Sequence, residues 1–424
     1  MTEVTEPLGN EPIGTPPSSE LASYERAPSE NTASSRTFLQ QTLRDTFDHT
    51  GARLGLIWIG ILATVGVFAP FLANSEPLWV RMGGKLSSPL LGSLRAPDVT
   101  LAALYIAVVT LLFWRRFSLG KSILIIAGVG LVAAILSALL LQSRGAPIYE
   151  KWRQLEAAGK LEPVRYTIVK YSPSDRMNDS DADKLQPPNR QHWLGTSIFG
   201  EDALSRMIHA SRVALTIGLL STGISVTIGV TIGGLMGYFS GWLDLLAMRM
   251  IEILEAIPRL ILLLIVAVFF RQAAADHGIS MIYVMMVVIG FIAWTADARF
   301  VRAEFFRLRN QDFVHAARAL GLPLRSIIFR HMLPNGIAPV LVNASFGVAG
   351  AILLESTLSF LGLGLGPEDA SWGQLLNQAR SGGTGFNWWI ATFPGAAIFL
   401  TVFSYVLIGE AMRDALDPRL RKRD

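Results

Sequence analysis

Five ionisable side chains lie inside or beside long apolar runs of this sequence, namely Glu252, Glu255, Arg259, Asp297 and Glu355. Charge in such a setting is costly and is usually retained for a function. By their spacing, Glu252, Glu255 and Arg259 share one face of a helix, and Glu255 is placed to form an ion pair with Arg259. The five residues are too few for a proton relay. We favour an ion pair at the edge of a membrane, with the side chains extended towards water.

No pattern in the sequence indicates catalysis, a metal site or a nucleotide site. The chain has 6 His without metal-ligand spacing and 0 Cys, which excludes a disulfide and a thiolate ligand. Gly120-Lys121-Ser122 is similar to the end of a phosphate-binding loop, but Arg115 stands where the first glycine is required. We therefore expect no catalytic residue, no metal and no cofactor on this chain, which cannot hydrolyse ATP by itself.

The composition indicates an integral membrane protein. Of the 424 residues, 51% are hydrophobic and only 17% are charged, whereas soluble domains carry roughly 25% charged residues. The mean hydropathy is +0.41, and the net charge of +4 fits Lys and Arg in loops that flank a membrane. This excludes a soluble enzyme, and we expect a lipid bilayer and no nucleic acid as partner.

Apolar runs long enough to cross a membrane determine the predicted architecture. A helix needs about 20 mostly apolar residues to cross the hydrocarbon core. The run 260–270 reaches this length only by extension back through Arg259, Glu255 and Glu252. The sequence therefore predicts an all-α polytopic membrane protein with eight spans. The runs are 54–73, 99–114, 122–141, 213–243, 260–270 with its extension, 278–296, 336–354 and 384–409.

The distribution of Lys and Arg predicts the orientation. With the N-terminus inside, the cytoplasmic parts are the loops 115–121, 244–249 and 299–335 and the residues after 409. These parts hold most of the basic residues outside the long polar segment 142–212. The opposite orientation inverts the bias. Both termini are therefore predicted to be cytoplasmic, and 142–212 is predicted to lie outside.

The chain divides into four predicted regions. Residues 1–36 are rich in Pro, Ser, Thr and Glu and are predicted to form a disordered cytoplasmic tail without a signal peptide. Residues 37–73 are predicted to hold an amphipathic helix on the membrane surface and the first span. Residues 74–191 are predicted to be an insertion with two spans and an outside segment, and 192–424 to be the core with the loop 299–335.

Small residues recur at every fourth position through the span 213–243. On a helix they form one narrow face, which lets another helix approach closely. Packing within this chain and contact with a second subunit fit this pattern equally well. The residues are Ser221, Ser225, Gly229, Gly233, Gly237 and Gly241.

The loop 299–335 is too long for a turn and too apolar for a linker. Gly321 allows a sharp bend between two stretches with helical spacing of apolar residues. A helix, a bend and a second helix, with alanines opening the surface, fit a groove in another protein. A hairpin lying on lipid is the alternative interpretation. The first set is Phe313, Ala316, Ala317, Leu320 and Leu324, and the second is Ile327, Ile328 and Met332, before Leu333-Pro334.

This loop resembles the signature loop of the permeases of binding-protein-dependent ABC importers, in the spacing of Ala316-Ala317, Gly321 and Leu333-Pro334. In that family the loop carries the coupling helix that docks into the ATPase subunit. Further segments in the same order resemble the dipeptide/oligopeptide/nickel branch, and within it the subunit called the C-type permease. They are 192–206, 237–262, 355–366, 371–373, 393–395 and 413–421.

The resemblance implies a type I ABC importer transmembrane fold, with a six-span core plus an inserted pair at 99–141. It implies a homologous second permease subunit, two ATPase subunits that hold ATP and Mg, and an extracytoplasmic substrate-binding protein. It also implies the bacterial inner membrane. The implied ATPase-coupling residues are His315, Ala316, Ala317, Gly321, Leu333 and Pro334, and the residues expected at the outer mouth are Glu355, Ser371, Trp372 and Gly373.

The sequence departs from the family pattern at three places. His315 stands where the signature loop normally begins with Glu. After Gly195-Thr196 the chain reads Ser-Ile-Phe-Gly-Glu-Asp instead of a stretch with Gly-Arg-Asp. The segments 99–141 and 142–191 have no counterpart in the six-span core.

Two functions from different classes follow from the sequence. The resemblance implies an ATP-driven importer of peptides, nickel or another small solute, in which the binding protein largely selects the substrate. The alternative is a self-sufficient secondary transporter or a membrane scaffold. Secondary transporters usually show internal repeats, and we find none in this sequence. Neighbouring genes for a second permease, ATPases and a binding protein would favour the importer.

Overall fold

The structure, a computed structural model, describes residues 45–82, 85–114, 119–140, 149–158, 164–176, 184–366, 369–381 and 386–416. The predicted tail at 1–36, the residues 37–44 of the predicted surface helix and the basic C-terminal end lie outside these ranges.

Helices account for most of the described chain, as the apolar runs predict. Each predicted span lies largely on helix. The longest helix, α7, has 37 residues; it begins before the predicted run 213–243 and ends within it, at Phe239. The helices are α1 (Thr50–Val67), α2 (Ala69–Leu72), α3 (Pro89–Ser93), α4 (Ala96–Phe113), α5 (Leu119–Leu140), α6 (Tyr149–Ala157), α7 (Ala203–Phe239), α8 (Gly241–Glu255), α9 (Arg259–Asp276), α10 (Met281–Leu308), α11 (Asp312–Ala319), α12 (Leu324–Ser326), a π-helical turn (Ile327–Met332), α13 (Leu333–Phe360), α14 (Trp372–Ser381) and α15 (Trp388–Leu416).

Within the described ranges, five helices are long and apolar enough to cross a membrane: α1, α7, α10, the part of α13 from Pro339, and α15. The bent pair α8 and α9 would make a sixth. The helices of the inserted pair have shorter apolar stretches, Ala96–Leu112 and Leu124–Leu139. The six-span core is thus present as helices, and the count of eight spans stays a prediction.

The expected straight extension of the run 260–270 back to Glu252 is wrong. The chain bends by 79° between α8 and α9. Pro258 precedes α9 in an extended conformation, with φ of −54° and ψ of 122°. Proline has no N–H to continue the hydrogen-bond ladder, and its ring disfavours helix in the residue before it. Ala256 and Ile257 therefore form a break, and Arg259 begins a new helix.

The helices of the core pack around α7. One cluster of buried side chains joins α7 to α13, α14 and α15 through residues such as Leu215, Ile352 and Trp372. A second cluster joins α7 to α9, α10 and α13. Trp58 of α1 donates a hydrogen bond to Thr401 of α15 at 3.2 Å, so the first span is fastened to the last.

A small sheet lies in the segment between the first span and α7, which the sequence analysis did not predict. It consists of β1 (Trp79–Met82), β2 (Lys85–Ser87) and β3 (Val164–Arg165). Both neighbours pair with β1 antiparallel. The polar segment therefore folds back onto the chain that follows α2.

Two contacts attach α4 to the core. Asp98 forms an ion pair with Arg212 of α7, and Tyr105 forms a hydrogen bond of 2.6 Å with Thr64 of α1. Arg212 and Asp98 are mostly shielded from solvent. The first helix of the inserted pair is thus held against the core by an ion pair and a hydrogen bond.

Candidate functional site

The loop after α10 has the predicted order of a helix, a bend and a second helix. It is shorter than 299–335, because α10 continues to Leu308 and α13 begins at Leu333. Gly321 has φ of +69°, a conformation that glycine adopts without strain. The first helix, α11, ends at this bend, with the Gly321 N–H bonded to the Arg318 carbonyl at 2.9 Å.

The inner face of α11 packs on the core of the same chain. Val314 and Ala317 are buried. They pack in a cluster with side chains from α10, the π-helical turn and α13. This cluster holds the loop rigidly against the bundle. Its other members are Val301, Phe305, Leu308, Ile327, Met332 and Val340.

The outer face of the loop is apolar and exposed. Leu320 and Phe329 have 78% and 66% of their surface exposed. The sequence predicts one apolar face on α11, whereas the helix has two, one buried and one exposed. Ala317 lies on the buried one, whereas Ala316 lies on the exposed one. We call the exposed residues the docking surface, and they are Phe313, Ala316, Leu320, Leu324 and Phe329.

The other predicted coupling residues frame this surface. His315 is exposed on α11. Leu333 and Pro334 begin α13, where proline is favoured because its missing N–H has no partner in the first turn. Pro334 is exposed and Leu333 is half-buried. Four of the six predicted residues thus lie on the loop, with Ala317 facing inward, and the other two lie in the first turn of α13.

Two arginines that the sequence analysis did not single out tie this loop to the end of α7. Arg309 donates to the Ser240 hydroxyl at 2.7 Å and to the Tyr238 carbonyl at 3.2 Å. The guanidinium of Arg318 lies 5.1 Å from the centre of the Tyr238 ring. These contacts join the loop to α7 as well as to α10 and α13.

The small-residue face of α7 packs against α10 of the same chain. A Cβ atom at Gly229, Gly233 or Gly237 would come within 2.3–2.6 Å of atoms of α10. Ser221 donates to the Met286 carbonyl at 2.9 Å. Along 221–237, these contacts therefore favour packing within the chain over contact with a second subunit. Gly241 begins α8 with φ of +68°, and no atom lies within 4 Å of its added Cβ.

Asp297 is one of the buried acids of the bundle. It lies on α10 with 7% of its surface exposed. It accepts a hydrogen bond from the Ser225 hydroxyl of α7 and one from the Asn343 amide of α13 at 2.5 Å. A cavity of about 150 Å³ opens beside it, lined also by Arg259. This polar cavity lies among α7, α9, α10 and α13.

The predicted ion pair between Glu255 and Arg259 is not formed. Glu255 pairs with Arg299 of α10 at 2.8 Å, and Glu252 pairs with Arg249 at 2.6 Å. The bend after Ala256 explains the difference, because it turns Arg259 away from the face of α8 and towards the polar cavity.

Glu355 lies in a closed cluster. It has 1% of its surface exposed and accepts hydrogen bonds from Ser371 at 2.7 Å and Ser359 at 2.8 Å. Trp372 is also buried, and a Cβ at Gly373 would lie 2.3 Å from the Ser356 carbonyl. These residues form a buried cluster between α13 and α14, and their position at the outer mouth stays a prediction.

The acids in the departure after Gly195-Thr196 are structural. Glu201 pairs with Arg206 at 2.8 Å, and both side chains are buried. Asp202 accepts a hydrogen bond from the Ser205 N–H at 2.7 Å and so caps α7. It also contacts the His192 ring at 2.8 Å. Sequence reasoning missed these partners because charge pairs across a loop follow no fixed spacing.

The polar segment 164–176 also contains a buried acid. Asp175 accepts a hydrogen bond from the Ser172 N–H at 2.6 Å. Burial raises the pKa of Asp175 to about 6, because an ionised carboxylate loses its hydration there. Ser172 in turn contacts Ser75 at 2.9 Å. This links the segment to the chain that follows α2.

In the described part of the chain, no group of three His, Asp or Glu side chains is arranged to hold a metal. The candidate sites are therefore the docking surface and the polar cavity.

Comparison with known proteins identifies the family. Residues 229–422 match the family described as the binding-protein-dependent transport system inner membrane component. A protein of Brucella suis provisionally named a peptide permease is 37% identical over 265 residues, covering 61% of this chain and 84% of that protein. The oligopeptide transport system permease protein OppC of Haemophilus influenzae is 40% identical over 230 residues, covering 54% and 71%.

A more distant likeness comes from a solved structure of an amino acid ABC transporter with histidines. It is 18% identical and covers 50% of this chain and 94% of its own, with a TM-score of 0.37, which is too low to bear on the fold. The sequence relatives decide the assignment, since one of them is covered over most of its length. This chain therefore belongs to the binding-protein-dependent inner membrane components, as an ABC importer permease of the peptide family.

Proposed function

We propose that this permease couples ATP hydrolysis by two cytoplasmic ABC ATPases to the import of peptides or a similar small solute. The observation that carries the proposal is the docking surface. Large apolar side chains are exposed on a helix that is itself fixed by Val314 and Ala317. Exposed apolar groups on a rigid element are typical of a protein contact.

The family supports a proposal for the rest of the importer. A homologous second permease would complete the substrate path, and an extracytoplasmic binding protein would deliver the solute. ATP and Mg would be held by the ATPases, and this chain would contribute no nucleotide site. We place the chain in the bacterial inner membrane with the docking surface and both termini in the cytoplasm. The names of the relatives, a peptide permease and an oligopeptide permease, support peptides as the substrate class.

The charge of His315 is of minor weight in this proposal. An exposed ion pair is worth about 0–1 kcal/mol. Docking of the ATPase, by contrast, would bury several large apolar side chains of the docking surface. We therefore attribute docking mainly to shape, with Gly321 setting the direction of the loop.

The test is co-purification with the ATPases. The chain is expressed with the products of neighbouring permease and ATPase genes, and complexes are isolated through a tag on this chain. Leu320→Glu places a charge in the docking surface, and we expect it to remove most of the ATPase. The matched control is Leu86→Glu, which makes the same change at an exposed leucine of β2. Normal recovery of ATPase with Leu320→Glu, at wild-type expression, would overturn the proposal.

A further inference from the structure

The polar cavity lies deep inside the bundle. Asp297 and Asn343 lie roughly 15 Å along their helices from the ends that join the loop. Apart from the apolar side chains of Ile289, Phe346 and Leu354, the remainder of the lining consists of small residues, which leave room beside the polar groups. A polar space at such a depth in a membrane helix bundle is costly and is a candidate binding site.

The charges around the polar cavity are opposite but not joined. Asp297 receives its two hydrogen bonds from neutral groups, Ser225 and Asn343. Arg259 lines the same cavity, and across the described ranges no salt bridge joins it to Asp297 or Glu255. Glu255 is instead occupied by Arg299. The cavity thus presents one carboxylate and one guanidinium, with a balanced net charge.

A third polar group lacks a partner. Thr222 has 6% of its surface exposed and lines the cavity. Within the described part of the chain, its hydroxyl makes no hydrogen bond. A buried hydroxyl without a partner costs about 1–3 kcal/mol. A bound polar molecule would recover this free energy.

We propose that the polar cavity binds the charged ends of a short zwitterionic peptide. The carboxylate of Asp297 accepts hydrogen bonds from the peptide ammonium, and the guanidinium of Arg259 donates to the peptide carboxylate. The Thr222 hydroxyl bonds to a polar atom between them. A cavity of about 150 Å³ favours a peptide of dipeptide size. This inference rests on the proposed function, because it names a contact that the transported solute makes within the permease.

The experiment measures ligand-dependent thermal stability of the purified permease–ATPase complex without a binding protein. The probe is L-alanyl-L-alanine, compared with its N-acetyl and C-amide derivatives. A ligand that binds the folded state raises the melting temperature according to its affinity. We expect the zwitterion to bind about ten- to hundredfold more tightly than either derivative, the range for a charged hydrogen bond.

Three variants assign the roles. Asp297→Asn is expected to remove the preference over the N-acetyl derivative, and Arg259→Gln the preference over the C-amide. Arg249→Gln is the matched control, since this arginine is exposed and paired with Glu252. Thr222→Val keeps the shape of the side chain. It should leave the ligand-free melting temperature unchanged or raised, and yet lower the affinity for L-alanyl-L-alanine.

The outcomes separate this inference from the proposed function. No stabilisation of the wild-type complex by L-alanyl-L-alanine, or wild-type preferences in both Asp297→Asn and Arg259→Gln, would overturn the inference. A lower ligand-free melting temperature of Thr222→Val would show that its hydroxyl has a structural partner and contradict its role. ATP-dependent uptake of the same dipeptide into proteoliposomes with the binding protein tests the function by itself. Uptake that is unaffected by the variants would contradict the binding site in the cavity and would still support the importer function.

Discussion

The close approach of α7 and α10 gives a sharp quantitative prediction. A Cβ atom at Gly233 would lie 2.3 Å from the Ala298 carbonyl oxygen. Such a contact cannot persist in a close-packed interior, so the two helices would have to separate by about 1 Å at this point. Overpacking of this kind costs about 1–3 kcal/mol. Gly233→Ala should therefore destabilise the fold.

A matched control lies on the same helix. Gly223 is exposed, and no atom lies within 4 Å of its added Cβ. Gly223→Ala carries the same gain in helix propensity, about 1 kcal/mol, without the contact. The difference between the two variants therefore isolates the packing cost, and we expect Gly233→Ala to be the less stable by about 1–3 kcal/mol.

The assay is thermal unfolding of both purified variants in the same detergent, followed by circular dichroism. Gly233→Ala should melt several degrees below Gly223→Ala, and its yield after gel filtration should be lower. Equal melting temperatures would refute the packing of α7 on α10 at this position. The small-residue face would then be free for the second subunit, which is the alternative that the sequence left open.

Three further predictions address topology, the inserted pair and pH. The chain has no native cysteine. In intact cells, Leu86→Cys should therefore react with an impermeant maleimide, and Leu320→Cys should not. Labelling of Leu320→Cys but not of Leu86→Cys would mean that the topology is inverted. Asp98→Asn leaves Arg212 of α7 without its ionic partner, so the melting temperature should fall, whereas Asp98→Asn with Arg212→Leu should recover part of the loss. The raised pKa of Asp175 means that the segment 164–176 is most stable when the carboxyl is protonated. Amide hydrogen exchange measures this stability. The protection of the amides in 164–176, corrected for intrinsic exchange, should decline as the pH rises from about 4 to above 6, and Asp175→Asn should remove this decline.

Regular spacing made the helical parts of the fold predictable. The recurrence of Gly229, Gly233 and Gly237 every fourth residue identified a face for close helix packing, and Gly321 marked the bend in the loop. Both signals are local. They depend on helical periodicity and on the conformational freedom of glycine, which the sequence shows directly.

The remainder depends on contacts between distant parts of the chain. The short helix α11 has apolar residues on both sides, so sequence could not decide that Ala317 faces inward and Leu320 outward. Pro258 is a local signal for the break after α8. The prediction of a span through this point rests on the number of apolar residues and does not use the proline. The three strands are too short for a pattern, since β3 has only two residues. In addition, β3 pairs with β1 across the two inserted helices.

The length of α7 has a mechanical consequence. This helix of 37 residues is roughly 55 Å long, which exceeds the hydrocarbon thickness of about 30 Å. One end is bonded to the segment 164–176 through Ser205 and Tyr171, and the other to the loop through Tyr238 and Arg309. The helix can therefore act as a lever between the two faces of the membrane. A tilt of about 10° around its midpoint would move both ends by roughly 5 Å in opposite directions.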